Sequence, residues 1–377
     1  MAAVVDQAAP GGGSVRHTRR ALSAGRTQLQ KRALKAVGYA ALACLLLRLE
    51  PALEQALHSL EHVSWEWIVG AIVLEVLSEC GYVQTWRGIV DPESLLAADG
   101  RGARTATHAA WAQLGGGMVV PGGSLASIGV GAWILRHFGM PTKTIAERQF
   151  NLSFLNTAVD ALTLIVCGVG LGIGIFGRDH NPLLTWLPAG VAAAGIGGAV
   201  LLTRLGGKRA QALNARRPKL AASIGSLVTA ADATAQVLFH HGGSRRALGA
   251  LAYLGFDALV LWTAFLAIGT NPVPGFAAVT MAYIIGALGG SIPLPAGIGA
   301  VGGIAGMLVL YGVGRNAAVA AVLLYEAVGL VVPVLGGVVA YLFLRREFGP
   351  MESTRDDPHR AAEDVATDPR LRMRGTT

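Results

Sequence analysis

The chain has 377 residues, of which 53% are hydrophobic and only 14% are charged, and its formal net charge is +8. A soluble globular domain carries about 25% charged residues, so this composition excludes that class. Between Ala247 and Leu344 the charged residues are Asp257, Arg315 and Glu326 alone, and so little charge predicts burial in a bilayer. The sequence therefore indicates an all-α polytopic membrane protein.

Residues 1–33 are rich in Gly, Ala and Ser and carry several basic side chains. This composition predicts a disordered, basic cytoplasmic arm. No small-residue cleavage site follows the first apolar run, so the arm is not interpreted as a cleaved signal. Residues 34–346 form the predicted transmembrane domain, and the polar residues 347–377 are predicted to be a disordered tail.

Six apolar runs are predicted to span the bilayer as continuous helices. They cover residues 34–49, 66–89, 149–176, 183–203, 247–269 and 316–344. If the N-terminus is cytoplasmic, the basic clusters between these spans all fall on the cytoplasmic side, as the positive-inside rule requires, and the C-terminus is cytoplasmic too. The net positive charge is thereby explained by topology, and no nucleic-acid partner is expected.

Two further apolar segments, residues 107–138 and 276–312, are interrupted near their middle by proline and glycine. The interruptions include Pro121, Gly123, Pro293, Pro295, Gly297 and Gly299. Proline removes a backbone donor and glycine weakens a helix, so each segment is predicted to form two half-helices joined by an irregular tip. Such a backbone is tolerated at membrane depth only inside protein or beside water, and we interpret both segments as re-entrant hairpins.

The two hairpins resemble each other in sequence. A proline of the tip is followed 17 residues later by Phe138-Gly139 in the first hairpin and 16 residues later by Tyr311-Gly312 in the second, and a long span follows each. The charge-derived topology makes the hairpins enter from opposite faces, which predicts an inverted repeat like those of many secondary transporters. Ordinary packed helices that tolerate Pro and Gly are the alternative.

Residues 204–246 form a predicted cytoplasmic loop that is strongly basic. Within residues 220–241, apolar side chains recur on one helical face after a run of Arg and Lys. This pattern predicts an amphipathic helix on anionic lipid, and packing of the loop against the bundle is the alternative.

Ionisable residues inside apolar spans are costly, which makes them functional candidates. Glu75 and Glu79 lie four residues apart on one helix face, and two ionised carboxylates at that spacing repel each other. We interpret them either as a proton or cation site or as ion-pair partners of another helix. Arg87 and Arg148 are the candidate partners.

Further polar residues inside the spans form a second group of candidates. Asn156 and Asp160 are another pair at this spacing, on the third long span. For Asp257 structural hydrogen bonding is preferred over a functional role, whereas Glu326 is left open between the two. No catalytic or metal-binding motif is present in the sequence, so neither a metal nor another cofactor is expected.

Two stretches of the chain resemble a known family. They are Ile292-Pro-Leu-Pro-Ala-Gly-Ile-Gly299 with the following Tyr311-Gly-Val and residues 320–333 of the last span, and Val120-Pro-Gly-Gly123 through Phe138-Gly139. By these motifs, residues 35 to 346 resemble the transmembrane region of lysylphosphatidylglycerol synthases and its stand-alone, flippase-like relatives. The aminoacyl-transferase domain of the full synthases is not expected in the residues after Arg346, so no enzymatic activity is expected.

The hairpin pair and the resemblance together predict a protein of the bacterial cytoplasmic membrane that binds a lipid or lipid-linked molecule and moves it between leaflets. Half-helix ends would offer N–H groups to an anionic headgroup, and Ser124, Ser127 and Ser291 would add hydroxyls. Membrane lipids, anionic on the cytoplasmic side, are the expected partners, together with a homo-oligomer or an envelope-biosynthesis complex. The alternatives are a non-transporting scaffold of envelope-lipid assembly and a membrane enzyme acting on lipid-linked substrates.

Overall fold

The computed structural model describes residues 63–92, 102–119, 124–177, 181–205, 243–288 and 298–348. These residues form nine α-helices and no strand, which confirms the all-α prediction for this part of the chain. The helices are α1 (Trp65–Val90), α2 (Gly102–Val119), α3 (Ser124–His137), α4 (Thr142–Gly172), α5 (Pro182–Leu205), α6 (Gly243–Ala267), α7 (Phe276–Ala287), α8 (Ile298–Leu310) and α9 (Arg315–Phe348).

Four helices, α1, α4, α6 and α9, are long and apolar enough to cross a membrane. They coincide with four of the predicted spans, and α5 covers a fifth. The remaining predictions, which concern the arm, the span 34–49, most of the loop 204–246 and the tail beyond residue 348, lie outside the described residues. Within those residues the chain is a multi-pass helical protein.

Several helices begin earlier than predicted. The third long span was predicted from residue 149, but α4 begins at Thr142, and the Ile145 N–H donates to the Pro141 carbonyl in its first turn at 3.0 Å. An apolar run marks the part of a helix that suits hydrocarbon, and the helix itself continues into polar residues. For the same reason α2 begins at Gly102 rather than at 107, and α6 begins at Gly243 rather than at 247.

The interrupted segments each form two shorter helices that pack against each other, α2 with α3 and α7 with α8. The first helix of each pair ends shortly before the proline-glycine interruption, and the second begins just after or within it. The prediction that neither segment is one continuous helix is therefore correct. Two residues assigned to the tips, Ser124 and Gly299, belong to the first turns of α3 and α8.

The long helix α1 shows that polar groups face inward in this bundle. Its buried positions include Glu75, Ser78 and Glu79, whereas Val73 and Leu77 on the opposite side are 53% and 42% exposed. A soluble helix has the reverse distribution, with its apolar face buried. Exposed apolar side chains around a polar interior are what a bilayer environment requires.

The helices α1 and α6 pack antiparallel along their length. The Ser64 N–H, at the start of α1, donates to the carbonyl of Ala267 at the end of α6 at 3.0 Å. Near the other end, Gly81 lies against Gly249, where a Cβ on Gly81 would be 2.7 Å from the Gly249 carbonyl oxygen. Small residues at the crossing thus let the two backbones approach closely.

Helix packing follows the same pattern in the two halves of the chain. In chain order, α1 to α4 correspond to α6 to α9. The helix α2 packs on α3 and α9, and its counterpart α7 packs on the corresponding helices α8 and α4. Likewise α1 packs on α2, α4 and α9, and its counterpart α6 packs on the corresponding helices α7, α9 and α4. Because the corresponding helices α1 and α6 are antiparallel, the two halves run in opposite directions along the bundle.

The first hairpin opens at the end of the bundle that holds most of the basic side chains among the described residues. There His108 of α2 stacks on Phe343 of α9 with ring centroids 5.2 Å apart, and Phe138, after α3, meets Phe348 at 4.9 Å. We call this the basic end, and the described basic residues there include Arg87, Arg104, Arg136, Lys143, Arg148, Arg245, Arg246, Arg345 and Arg346.

The second hairpin opens at the opposite end. The Trp262 indole N–H, near the end of α6, donates to the carbonyl of Pro274 just before α7, at 3.0 Å. The Tyr311 hydroxyl, just after α8, donates to the Leu184 carbonyl in the first turn of α5, at 2.8 Å. The hairpins therefore enter the bundle from opposite ends.

Candidate functional site

Five carboxyl groups from four helices lie near one another in the middle of the bundle. They are Glu75 and Glu79 on α1, Asp160 on α4, Asp257 on α6 and Glu326 on α9, and we call them the carboxyl cluster. Asp257 is central, because each of the other four carboxyl groups interacts electrostatically with it. The sequence analysis identified all five residues but joined only Glu75 and Glu79 in one candidate site, and the structure brings the five together.

Asp257 connects three helices. Its side chain is 7% exposed, and its Oδ2 atom accepts hydrogen bonds from the hydroxyls of Tyr283 on α7 and Tyr325 on α9, the latter at 3.2 Å. The two tyrosine rings lie edge to face, with centroids 5.9 Å apart. Asp257 is thereby linked both to the second hairpin and to the long helix that follows it.

Removing either tyrosine hydroxyl is expected to destabilise the protein. Tyr283→Phe or Tyr325→Phe leaves the Asp257 carboxyl with one donor instead of two, and hydrogen bonds between membrane helices contribute about 0.6–1.7 kcal/mol each. We expect a lower midpoint of thermal unfolding in detergent micelles for each variant, and a larger decrease for the pair. Tyr341→Phe, which retains the ring contact with Trp133, is the control, and an equal decrease in the control would contradict the role given to Asp257.

Glu75 and Glu79 are almost completely buried, at 4% and 2% exposure. The Oε2 atom of each has no hydrogen-bond partner among the described residues. Arg148, one of the two predicted partners, instead donates to the carbonyl oxygen of Val90 at 2.7 Å, and Arg87 is exposed near the end of α1. Among the described residues, neither Oε2 atom therefore has a hydrogen-bond partner, and Arg148 binds the backbone of α1 instead.

A buried amide pair joins the first hairpin to its neighbours. Gln113 on α2 and Gln149 on α4 form reciprocal hydrogen bonds of 3.1 and 2.9 Å. The Trp86 indole N–H of α1 also donates to the Gln113 side chain, at 2.8 Å, and Gly131 of α3 makes room for it, since a Cβ there would be 2.0 Å from Gln113 Oε1. We call Trp86, Gln113, Gly131 and Gln149 the amide node, and it joins four helices.

The sequence analysis missed the amide node. Gln149 sits where the polar start of α4 meets its apolar run, a position at which a glutamine is ordinarily exposed. Its burial depends on Gly131 of the neighbouring hairpin helix. A glycine opposite two glutamines on different helices has no signature within any one segment, so only the packing could identify it.

Only some of the residues predicted to bind a lipid headgroup lie in the described part of the chain. Ser127 is engaged within the first hairpin, where its hydroxyl donates to the Gln113 carbonyl at 3.4 Å and its side chain packs where a Cβ on Gly117 would lie. Gly299 is in the first turn of α8, and Ser124 begins α3. The other predicted residues lie outside the described part, namely Pro121, Gly123, Ser291, Pro293, Pro295 and Gly297.

The other polar candidate on α4 is Asn156, one turn before Asp160, and it is half-buried. Within the described ranges no group of three His, Cys, Asp or Glu side chains is placed to hold a metal ion. The members of the carboxyl cluster therefore interact electrostatically without the arrangement of a metal site among the described residues.

A cavity of about 320 Å³ lies at the open end of the second hairpin. It is bounded by the connection between α6 and α7, from Thr270 to Gly275, and by the connection between α8 and α9, from Tyr311 to Gly314. The hydroxyl oxygen of Thr270 is buried there without a hydrogen-bond partner. This end of the bundle thus has room near the mouth of the hairpin.

The chain was compared with known protein families and with curated proteins. The family described as "Lysylphosphatidylglycerol synthase TM region" matches residues 35–337, which include all of α1 to α8 and most of α9. The comparison with curated proteins gave no match. The matched region covers most of the chain, and with the apolar spans it establishes a membrane protein. The chain belongs to the lysylphosphatidylglycerol synthase transmembrane-region family.

Proposed function

We propose that the protein binds a lipid or lipid-linked molecule and moves it between the leaflets of a bacterial cytoplasmic membrane. Both termini are cytoplasmic in this proposal, because the basic end of the bundle then faces the cytoplasm. The observation that carries the proposal is the pair of hairpins that open at opposite ends of one bundle with matching helix packing. This arrangement supports an inverted repeat, the architecture in which many transporters bind substrate at the repeat interface.

The lengths of the hairpin helices support a re-entrant arrangement. The helices α2, α3, α7 and α8 have 18, 14, 12 and 13 residues. At about 1.5 Å per residue they are about 18–27 Å long, which is less than the roughly 30 Å of hydrocarbon in a bilayer. The N-terminal turns of α3 and α8 then lie inside the membrane, where their free N–H groups favour an anionic headgroup.

Lipid movement is tested with purified protein in vesicles that contain fluorescent phosphatidylglycerol. We expect the wild-type protein to accelerate exchange of the probe between leaflets, measured by chemical quenching of the outer leaflet. Pro295→Ala combined with Gly297→Leu is expected to slow the exchange at least about tenfold, since a tip that must remain irregular would gain helix propensity.

Gly302→Ala on α8 is the matched control, because a Cβ at Gly302 meets no atom within 4 Å. It is expected to leave the exchange rate unchanged. If the wild-type protein moves no probe, translocation is contradicted for this lipid. If the tip variant is folded and as active as wild type, the hairpins do not form the pathway, and an accessory role in envelope-lipid assembly is favoured.

A further inference from the structure

The polar interior of the bundle has a feature that lipid binding at the hairpin tips does not use. The Oε2 atoms of Glu75 and Glu79 are buried without hydrogen-bond partners among the described residues. The two residues are only 4% and 2% exposed. An ionised carboxylate with an unpaired oxygen in a low-dielectric interior is strongly disfavoured. These two groups therefore need a positive partner or a proton.

The charged and titratable groups around the pair do not supply a positive partner. At the level of the pair, the groups on the helices packed against α1 are Asp160 of α4, Tyr253 and Asp257 of α6, and Tyr325 and Glu326 of α9. The arginines of α4 and α6 lie at the basic end instead, where Arg148 donates to the Val90 carbonyl and Arg246 packs against Gly88, about two turns beyond Glu79. On α1 itself, Cys80 and Tyr82 are the titratable neighbours of Glu79. The titratable groups of α2, Arg104 and His108, lie toward the basic end beside Glu347. Among the described residues, the groups named beside the pair are thus acidic or neutral, and the arginines lie toward the basic end.

A metal ion is not the missing partner, since no three of these groups are placed to bind one in the described part of the chain. A proton needs only one carboxylate oxygen and removes the charge altogether. Clustered carboxylates commonly share protons for this reason, because they cannot all be ionised together. The chemistry of the site thus selects a proton.

We propose that Glu75 and Glu79 form a proton-binding pair that couples proton movement to the lipid translocation proposed above. The step is the reversible reaction of a carboxylate with one proton to give the carboxylic acid, with no other bond formed or broken. The coupling rests on the proposed function, whereas proton binding by the pair does not.

The structure contains a route from the pair to the second hairpin. Glu75 and Glu79 both interact electrostatically with Asp257, and Asp257 is hydrogen-bonded to Tyr283 of α7 and Tyr325 of α9. A change of charge on α1 therefore alters the acceptor that holds one helix of the hairpin to the bundle.

A second contact reaches the middle of α9. A Cβ on Gly329 would lie 3.8 Å from Glu75 Oε1. Four residues later, Pro333 has no N–H, so the Gly329 carbonyl lacks its usual helical donor. Glu75 thus faces α9 at a turn whose backbone hydrogen bonding is already interrupted.

Proton binding is tested on the wild-type protein with N,N′-dicyclohexylcarbodiimide, which modifies protonated carboxyl groups in apolar surroundings. Peptide mass spectrometry is expected to find Glu75 or Glu79 modified at neutral pH, with modification falling about tenfold for each pH unit above the midpoint. Glu66, exposed in the first turn of α1, is the internal control and should remain unmodified. Absence of modification at Glu75 and Glu79 at every pH, or modification that is independent of pH, would overturn the proposal.

Coupling is tested in the fluorescent phosphatidylglycerol vesicles with an imposed pH gradient. We expect the gradient to change the wild-type exchange rate several-fold, Glu75→Gln and Glu79→Gln to abolish this response, and Glu66→Gln to retain it. Glutamine keeps the size and neutrality of the protonated acid, so a loss of folding is not expected, and the carbodiimide measurement on wild type is independent of these variants.

The two proposals fail in distinguishable ways. If lipid moves at the same rate with and without the gradient, proton coupling is overturned and lipid translocation stands. If the pair is modified by carbodiimide with the expected pH dependence but no lipid moves under any condition, translocation is contradicted and proton binding by Glu75 and Glu79 stands.

Discussion

Gly81→Ala is expected to destabilise the bundle markedly, although alanine is the better helix former. The new Cβ would lie 2.7 Å from both the Gly249 carbonyl oxygen and the Tyr253 backbone nitrogen. These are backbone atoms of α6, so they cannot turn aside, and the two helices must separate. Overpacking of this kind costs about 1–3 kcal/mol, which exceeds the gain of about 1 kcal/mol in helix propensity. The measurement is thermal unfolding in detergent micelles.

Gly70→Ala on the same helix is the matched control. A Cβ at Gly70 has no atom within 4 Å, so this variant receives the gain in helix propensity without the clash. The same substitution is therefore expected to lower the unfolding midpoint at residue 81 and to leave it unchanged or raise it at residue 70. Equal effects at the two positions would show that the α1–α6 crossing is not as close as described.

Gln113→Leu is expected to have the second large effect. It removes hydrogen bonds to Trp86 and Gln149 and leaves the buried Gln149 amide without its partner. An unsatisfied buried polar group costs about 1–3 kcal/mol. We expect a clear decrease in the free energy of unfolding, and the double variant with Gln149→Leu should be less destabilised than the sum of the single variants, because no amide is then left unpaired.

Gln84→Leu is the control for the amide node. Gln84 is exposed on α1 and makes one hydrogen bond, to the Arg245 carbonyl at 2.7 Å. Surface substitutions usually change stability by less than about 0.5 kcal/mol, so this variant should remain close to wild type. Strict additivity of Gln113→Leu and Gln149→Leu would show that the two amides act independently and would contradict the node.

The membrane class and the helix content were predictable because they depend on local composition. Apolar runs located α1, α6 and α9 to within a few residues, and the proline-glycine interruptions correctly divided both hairpin segments. The start of α4 was not predictable in this way. Its first turns contain Lys143, Glu147 and Arg148, and such residues do not interrupt a helix, although they end the apolar run from which the span was predicted.

The candidate site was predictable as a set of residues but not as an arrangement. Glu75, Glu79, Asp160, Asp257 and Glu326 were all identified from the cost of charge in an apolar span. Their common centre was not, because it depends on which helices cross and at which turn. Arg148 illustrates the limit, since sequence reasoning offered it as a partner for α1 carboxylates and the structure directs it to the Val90 carbonyl.

The sequence by itself determined that the chain is a membrane protein, that its basic clusters fall on one side of the predicted topology, and that two segments cannot continue as single helices. Each of these follows from transfer energies and backbone chemistry summed over neighbouring residues. Only the tertiary structure decided that Gly81 meets Gly249, that Gln113 pairs with Gln149, and that four other carboxyl groups lie around Asp257. Those outcomes depend on close approach between helices that are distant in the chain. At such a crossing, a glycine without a Cβ determines how near the helices come and therefore which side chains can meet.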